Sequence, residues 1–322
     1  MTQSKWHKKL SIIIPTYNEE NMIAIISSKI KTLMTKENIE YNIFFVDDGS
    51  KDNTWINIEK QSKIDNTVKG IRFSRNFGKE AAIFAGLENC DGACCVVIDC
   101  DMQHPPEKII EMYRLWENGY EVIEGIKKSR GKESKIHKFL ANIFYTTISK
   151  ALNIDLKGAS DFKLLDRKVI NSMLTLKEKN TFFRALSSWT GFKKTSINFE
   201  VKERLYGKTK WSLSSLFKYA ISNITSFTAL PMQLVTILGM IMLVISIIFA
   251  FISLYQKFGG KALQGFTTVI ILLLFIGSII MISLGIIGYY ISKIYDEVKA
   301  RPRFIITDNC GEDFKNAENN TR

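Results

Sequence analysis

Two stretches of the chain carry no charged side chain, Tyr219 to Gln256 and Ala262 to Ser292. A core helix of a soluble domain rarely runs so far without a charge, so this part of the chain is committed to an apolar solvent. Pro231 divides the first stretch. Before it, Tyr219–Leu230 includes Ser222, Asn223, Thr225 and Ser226. That is too polar to cross a bilayer, and 212–231 reads as an amphipathic segment lying in the membrane interface. Met232–Tyr255 and Phe266–Ser292 are each long enough, at about 1.5 Å per residue, to cross a hydrocarbon core of about 30 Å. The link Gln256–Gly265 is short, so 232–255 and 266–292 are expected to form a transmembrane hairpin. Lys208, Lys210 and Lys218 precede the first span and Lys293, Lys299, Arg301 and Arg303 follow the second, whereas the link holds only Lys257 and Lys261. The more basic flanks belong inside. The expectation is therefore a multi-pass protein of the inner or plasma membrane, with region 1–211, tail 293–322 and both termini cytoplasmic. Met1–Leu10 is polar and basic and lacks the apolar run of a signal peptide. The tail past Arg303 reads as polar and loose at its end.

The N-terminal region has the opposite character. Leu10–Pro15 is an apolar run followed by Thr16-Tyr17-Asn18-Glu19-Glu20, with Asn18 placed to cap a helix. Tyr41–Val46 runs into Asp47-Asp48-Gly49-Ser50, after which Asp52 or Asn53 suits a second cap. Val68–Phe73 ends in Ser74-Arg75-Asn76-Phe77-Gly78-Lys79, and a helix rich in Ala and Glu follows to about Asn89. Cys94–Ile98 is a fourth apolar run, stopped by His104-Pro105-Pro106, where Pro106 can open a helix. Strands alternating with helices over about 110 residues predict an α/β domain with a doubly wound, mainly parallel sheet. The carboxyl ends of such strands gather on one edge, so Tyr17, Glu19, Asp47, Asp48, Arg75, Lys79, Asp99 and Asp101 are expected to converge. Ser134–Leu152 has helical apolar spacing, and packing on the sheet or lying on a membrane surface suits it equally.

Asp99 and Asp101 end the fourth run one residue apart. In an extended backbone they share a side and can hold a hard divalent cation that also meets phosphate oxygens. An isolated Asp-x-Asp is more often a solvated turn, so the neighbouring motifs decide its meaning. Asp161 closes the turn Lys157–Phe162, where a merely turn-closing acid is the plainer reading. Arg204-Leu205-Tyr206-Gly207-Lys208-Thr209-Lys210-Trp211 sets cations around a glycine, fitting a mobile anion clamp better than a solvated loop. No Gly-x-Gly-x-x-Gly follows the first strand and no Walker A loop occurs, which argues against a dinucleotide oxidoreductase and against a P-loop NTPase. The five Cys have no Cys-x-x-Cys spacing and there are three scattered His, so a zinc site is not expected and free thiols in a reducing compartment are. Lys and Arg outnumber Asp and Glu by 44 to 32, which suits an anionic partner: nucleic acid, a phosphorylated substrate or a membrane surface.

With these motifs in order, the chain resembles the membrane-anchored family 2 glycosyltransferases. Within them it is most similar to the polyprenyl-phosphate hexosyltransferases, the bactoprenol glucosyltransferases and dolichol-phosphate mannose synthases. The matching stretches are Ile14–Glu19, Val46–Ser50, Arg75–Lys79, Asp99–Gln103, Gly158–Phe162 and Arg204–Trp211. The resemblance implies a GT-A fold, with Pro15, Tyr17, Glu19, Asp47 or Asp48, and Lys79 on the nucleotide sugar. It implies Mg²⁺ or Mn²⁺ at Asp99 and Asp101, and Asp161 as catalytic base or orienting carboxylate. Arg204, Lys208 and Lys210 are implied to bind donor or lipid phosphate. Many relatives place His-Gln or similar residues where this chain has Lys79-Glu80. The implied activity is inverting transfer of a sugar, from UDP-glucose or a UDP-N-acetylhexosamine, to polyprenyl phosphate at the cytoplasmic membrane face. Nucleic acid is not an expected partner, and relatives with this hairpin can be homo-tetramers. A processive polysaccharide synthase would be expected to carry Gln-x-x-Arg-Trp and more spans; Arg184 and Trp189 have the wrong spacing for it. A non-catalytic sugar-nucleotide scaffold is the other alternative, against which Asp99, Asp101 and Asp161 weigh.

Overall fold

A computed structural model describes residues 8–127, 160–176, 182–200, 266–299 and 301–311, and part of 235–255. The chain divides into two compact units, Met1–Leu216 with Pro302–Arg322, and Phe217–Arg301.

The first unit is built on apolar strands covered on both faces, which is why they read as continuous runs. In chain order it contains β1 (Leu10–Thr16), α1 (Ile23–Lys36), β2 (Tyr41–Asp47), α2 (Thr54–Ile64), β3 (Val68–Phe73), α3 (Lys79–Asn89) and β4 (Cys94–Val97). These are followed by α4 (Lys108–Glu117), β5 (Val122–Lys127), β6 (Lys163–Asp166), α5 (Arg167–Leu174), α6 (Phe183–Trp189), β7 (Lys194–Phe199) and β8 (Ile306–Cys310). The sheet order is β7-β5-β6-β4-β1-β2-β3-β8. β3, β2, β1 and β4 are mutually parallel neighbours. The order reverses between β1 and β4, which opens a crevice at their carboxyl ends. One face buries Ile12, Ile14, Ile43, Phe45 and Val96 beneath α1, α2 and α4, and a second cluster is centred on Phe44, Val46, Ile71 and Phe73. On the α3 side, a Cβ at Gly86 would collide with Ile13, so that glycine lets the helix lie directly on β1.

The sheet is mainly parallel, as expected; β6, inside it, runs antiparallel to β4 and β5, and β8 runs antiparallel to β3 at one edge. Several finer expectations need correction. The tail does more than trail away: Ile306–Cys310 completes an edge, Ile305 accepts from Ser74 N, and Phe304 stacks on Phe73 at 5.0 Å. Asn18 caps no helix. Its φ is 54°, its amide donates to Ser50 Oγ and its Oδ1 accepts from Lys51 N, so it turns the chain and α1 starts only at Ile23. Asn53 occupies the cap position of α2 without a capping bond from its side chain, and Asp52 supplies the carboxylate that accepts from Thr54 N at 3.0 Å. β4 ends at Val97, two residues before Asp99, and Met102 has φ 60°. Asp99 and Asp101 thus lie in a turn, and the two-residue strand period does not relate them. The cysteines are free, as expected.

In the second unit, α7 (Phe266–Val298) continues past the expected Ser292, and within it Phe275–Tyr295 is long and apolar enough to cross a membrane. The described residues between 235 and 255 are helical. Phe275–Tyr295 is the one candidate span among the described residues, so the expected two-helix hairpin is not confirmed. The interfacial segment 212–231, the link 256–265 and the helix expected over Ser134–Leu152 lie outside the described residues.

Candidate active site

The crevice at the ends of β1 and β4 collects residues from six segments. On the β1 side, Glu19 N donates to Thr54 Oγ1 at 2.8 Å, and Glu20 Oε2 accepts from Asn53 N and Nδ2. This stitching holds Pro15, Tyr17 and Glu19 half-buried at the sheet edge.

At the end of β2, Asp47 and Asp48 are both buried. Asp47 Oδ1 accepts from Ser50 N at 3.0 Å and Oδ2 lies 3.5 Å from Arg72 Nε, yet that buried Oδ2 accepts no hydrogen bond. Burial raises the Asp47 carboxyl. Asp48 accepts from Phe77 N at 2.6 Å and Gly78 N at 3.0 Å, closing the loop between β3 and α3. Burial pushes its pKa up to about 6, against the pull of those two amides. Gly49 has φ 67°, and a Cβ there would stand 2.5 Å from the Arg75 carbonyl carbon, so glycine is what lets the two loops touch. Arg75 joins the cluster as expected, its charge acting on Asp48 while its guanidinium lies over Phe77 at 4.1 Å.

The chemistry concentrates one strand further on. Because β6 is antiparallel to β4, with Lys163 opposite Val97, the residues just before β6 return to the carboxyl edge. Asp161 arrives there buried. Arg184 grips it with two bonds, Nε to Oδ1 at 2.6 Å and Nη2 to Oδ2 at 2.9 Å. Lys79, the first residue of α3, places Nζ 2.7 Å from Asp161 Oδ2 and 2.6 Å from Asp99 Oδ1. The result is a chain of alternating charge, Asp99–Lys79–Asp161–Arg184. Burial by itself would raise the Asp161 carboxyl, but Arg184 and Lys79 outweigh it and hold it well below the carboxylate range. Asp99 is lowered too, with Lys79 overcoming the effect of burial. Lys79 is raised by Asp161 and Asp99, against the desolvation of its ammonium beside them.

His104 lies beneath this chain, stacked on Phe162 at 5.2 Å and edge-on to Phe199, with Nδ1 3.4 Å from the Asp99 amide that points to it. Burial lowers its pKa to about 4, so it is neutral at pH 7. Asp101 Oδ1 accepts from Gln103 N at 3.1 Å. Glu80 Oε2 accepts from Phe183 N at 2.9 Å, and burial pushes this carboxyl up to about 7.

Sequence reasoning missed Arg184, which it met only as a misplaced element of another motif, and His104, which it took for a strand stop. A cation set in the otherwise apolar Phe182-Phe183-Arg184-Ala185-Leu186 was the available signal. Arg204, Lys208 and Lys210 lie outside the described residues. For a divalent cation, the donors present are the hard carboxylate oxygens of Asp99 and Asp101. No group of three or more acidic, His or Cys ligands occurs among the described residues. Two carboxylates fit an ion such as Mg²⁺ that completes its shell with water and substrate phosphates.

Residues 11–174 match the family model "Glycosyl transferase family 2". The chain is 40% identical over 311 residues to the uncharacterized glycosyltransferase YkcC of Bacillus subtilis, with 96% of each chain covered. It is 32% identical to a prophage bactoprenol glucosyl transferase homolog of Escherichia coli, covering 92% of this chain and 98% of the relative. A crystal structure of glucosyl-3-phosphoglycerate synthase from Mycobacterium tuberculosis superposes with a TM-score of 0.46 at 16% identity, covering 69% of this chain and 82% of the other.

Proposed function

The chain belongs to glycosyl transferase family 2 and is a glycosyltransferase using a nucleotide sugar, and from that premise we propose that it moves a hexosyl group from a UDP-sugar to polyprenyl phosphate with inversion. UDP-glucose is the first donor to test, since relatives covering nearly the whole chain are named bactoprenol glucosyl transferases. The observation that carries the reading is Lys79 clamped between Asp99 and Asp161. Two of the three N–H donors of its ammonium meet those carboxylates, leaving the third for a phosphate oxygen.

In such a transfer one oxygen of the acceptor phosphate attacks the anomeric carbon from the face opposite the diphosphate. The bond from that carbon to the diphosphate oxygen breaks as the new bond forms, and the nucleoside diphosphate leaves. A lipid monophosphate has a second pKa of about 6 by analogy with protein phosphates, so it is largely dianionic at neutral pH and needs no base. Asp161, held as a carboxylate of low basicity by Arg184 and Lys79, then serves to orient those two cations toward phosphate. Mg²⁺ or Mn²⁺ held by Asp99 and Asp101 would neutralise charge developing on the leaving diphosphate. Asp48 has both oxygens on backbone amides, whereas Asp47 Oδ2 accepts no hydrogen bond. Of the two, Asp47 is the better acceptor for a base N–H, with Pro15, Tyr17 and Glu19 lining the nucleoside side. Arg204, Lys208 and Lys210 are assigned to donor or lipid phosphate.

The apolar helix Phe275–Tyr295 supports a membrane anchor. The proposed hairpin, with both termini cytoplasmic, would keep the acceptor's tail in lipid while its phosphate reaches a cytoplasmic site. The test is to incubate membranes containing the protein with a panel of nucleotide sugars and polyprenyl phosphate, then weigh the lipid extract by mass spectrometry. A lipid-phosphate hexose supports the proposal. A polymer, or binding without turnover, rejects it.

A further inference from the structure

We infer that Lys163 is a positioning residue, fastening the helix that carries Arg184 to the strand that follows Asp161. The inference rests on the reading of Asp161 and Arg184 as part of the transfer site. α6, which carries Arg184, is seven residues long. A helix that short does not hold its place in isolation, so its orientation is set by what ties it down.

The ties are buried and polar. Lys163 is fully buried, two residues beyond Asp161. Its ammonium donates to the Arg184 carbonyl at 3.2 Å and to Ser187 Oγ at 2.8 Å, both on α6. It also donates to Glu124 Oε1 at 2.6 Å, across the strand pairing that sets Glu124 opposite Lys163. Glu124 Oε1 in turn accepts from Ser188 Oγ at 2.8 Å, the next residue of the helix. Burial alone would raise the Glu124 carboxyl, but Lys163 and the bonds from Lys163 and Ser188 hold it below its usual value. Burial lowers the Lys163 ammonium against the pull of Glu124, and both members of the pair are engaged with α6. A buried ion pair is seldom more stable than apolar side chains of the same volume. What this pair supplies instead is direction. It binds the backbone of Arg184 itself, and from that anchored carbonyl the side chain extends back to Asp161.

The experiment uses the full-length protein in detergent or nanodiscs, with Lys163→Met as the main variant. Hydrogen exchange of the Phe183–Trp189 amides is expected to rise by about tenfold or more while β1 and β2 amides stay protected. Transfer is expected to lose kcat by about tenfold with donor KM within about twofold. Because Lys163 acts through Arg184, its effect on kcat should vanish in an Arg184→Ala background. If Lys163→Met does not fold, Ser187→Ala and Ser188→Ala each remove one tie and should show the same pattern at smaller amplitude. Unchanged exchange in Phe183–Trp189, or a full Lys163→Met loss in the Arg184→Ala background, overturns the inference. The exchange arm needs no turnover, so a wild type that makes no lipid-linked sugar would defeat the proposed reaction while the exchange result still decides the role of Lys163.

Discussion

Asp48 and Asp161 are the same residue type, both buried, both at the carboxyl edge of the parallel strands, and their surroundings drive them in opposite directions. Asp48 is met by two backbone amides, Phe77 N and Gly78 N. Neutral dipoles only partly offset burial, and its pKa rises to about 6. Asp161 is met by the Arg184 guanidinium and the Lys79 ammonium, and it falls well below the usual range. One carboxylate closes a loop and the other organises charge. Full charges outweigh desolvation where amide dipoles do not.

Asp161→Asn strikes this contrast hardest. Transfer is expected to fall by about a thousandfold, as when a main electrostatic element of a site is removed. The donor dissociation constant, read by titration calorimetry, should change by only a few-fold. A mainly weakened donor with kcat preserved would move Asp161 to the nucleotide side.

The Asp48 side is sharpened by pH. In the fold Asp48 keeps its proton up to about 6, against 3.8 ordinarily. The wild type therefore loses stability from this group as pH rises through that window. Asp48→Asn cannot ionise. Mutant minus wild-type unfolding free energy is expected to climb by up to about 3 kcal/mol between about pH 4 and 6 and then stay flat. Denaturant titrations at pH 4, 5, 6 and 7 measure it, and a flat difference would place Asp48 in a more solvated setting.

Arg184→Lys keeps the charge at Asp161 but loses the two-pronged geometry. About a tenfold loss of kcat is expected, since a lysine cannot reproduce a bidentate guanidinium. Wild-type kcat in this variant would mean that charge alone suffices there.

The smallest effect concerns Asp91, away from the site. Lys9 lies 2.9 Å from it, Lys69 3.5 Å, and Asn42 Nδ2 also donates to it. Against burial, the Lys9 bond and both lysine charges bring its pKa to about 2. It is partly exposed, so Asp91→Asn is expected to cost only about 1 kcal/mol at neutral pH after solvent screening. A depressed carboxyl contributes above its unfolded pKa, so the cost should fade as pH drops from about 4 toward 2. The same denaturant series reads it.

The legibility of these features followed their physics. β1, β2 and β4 could be read from the sequence because strands buried on both faces are largely apolar, and the polar exits of the parallel strands marked the edge where a ligand would lie. β8 escaped reading because Ile306-Thr307-Asp308-Asn309-Cys310 is an exposed edge strand, held by backbone pairing that leaves no apolar pattern. Asp99, Asp101 and Asp161 stood out as acids after apolar runs or at a turn. Their partners did not, because the antiparallel β6 and the short α6 bring Asp161 and Arg184 together from 23 positions apart. Lys79 was visible at the start of α3, but its place between two acids depends on how closely α3 lies on β1.

The most direct measurement compares wild type with Asp99→Asn in vesicles containing polyprenyl phosphate and labelled UDP-glucose, with equal protein in each membrane. Label extracted with the lipid by the wild type and none by Asp99→Asn is the expected result. Lipid-linked label formed by Asp99→Asn at the wild-type rate would contradict the assignment of this crevice as the place of transfer.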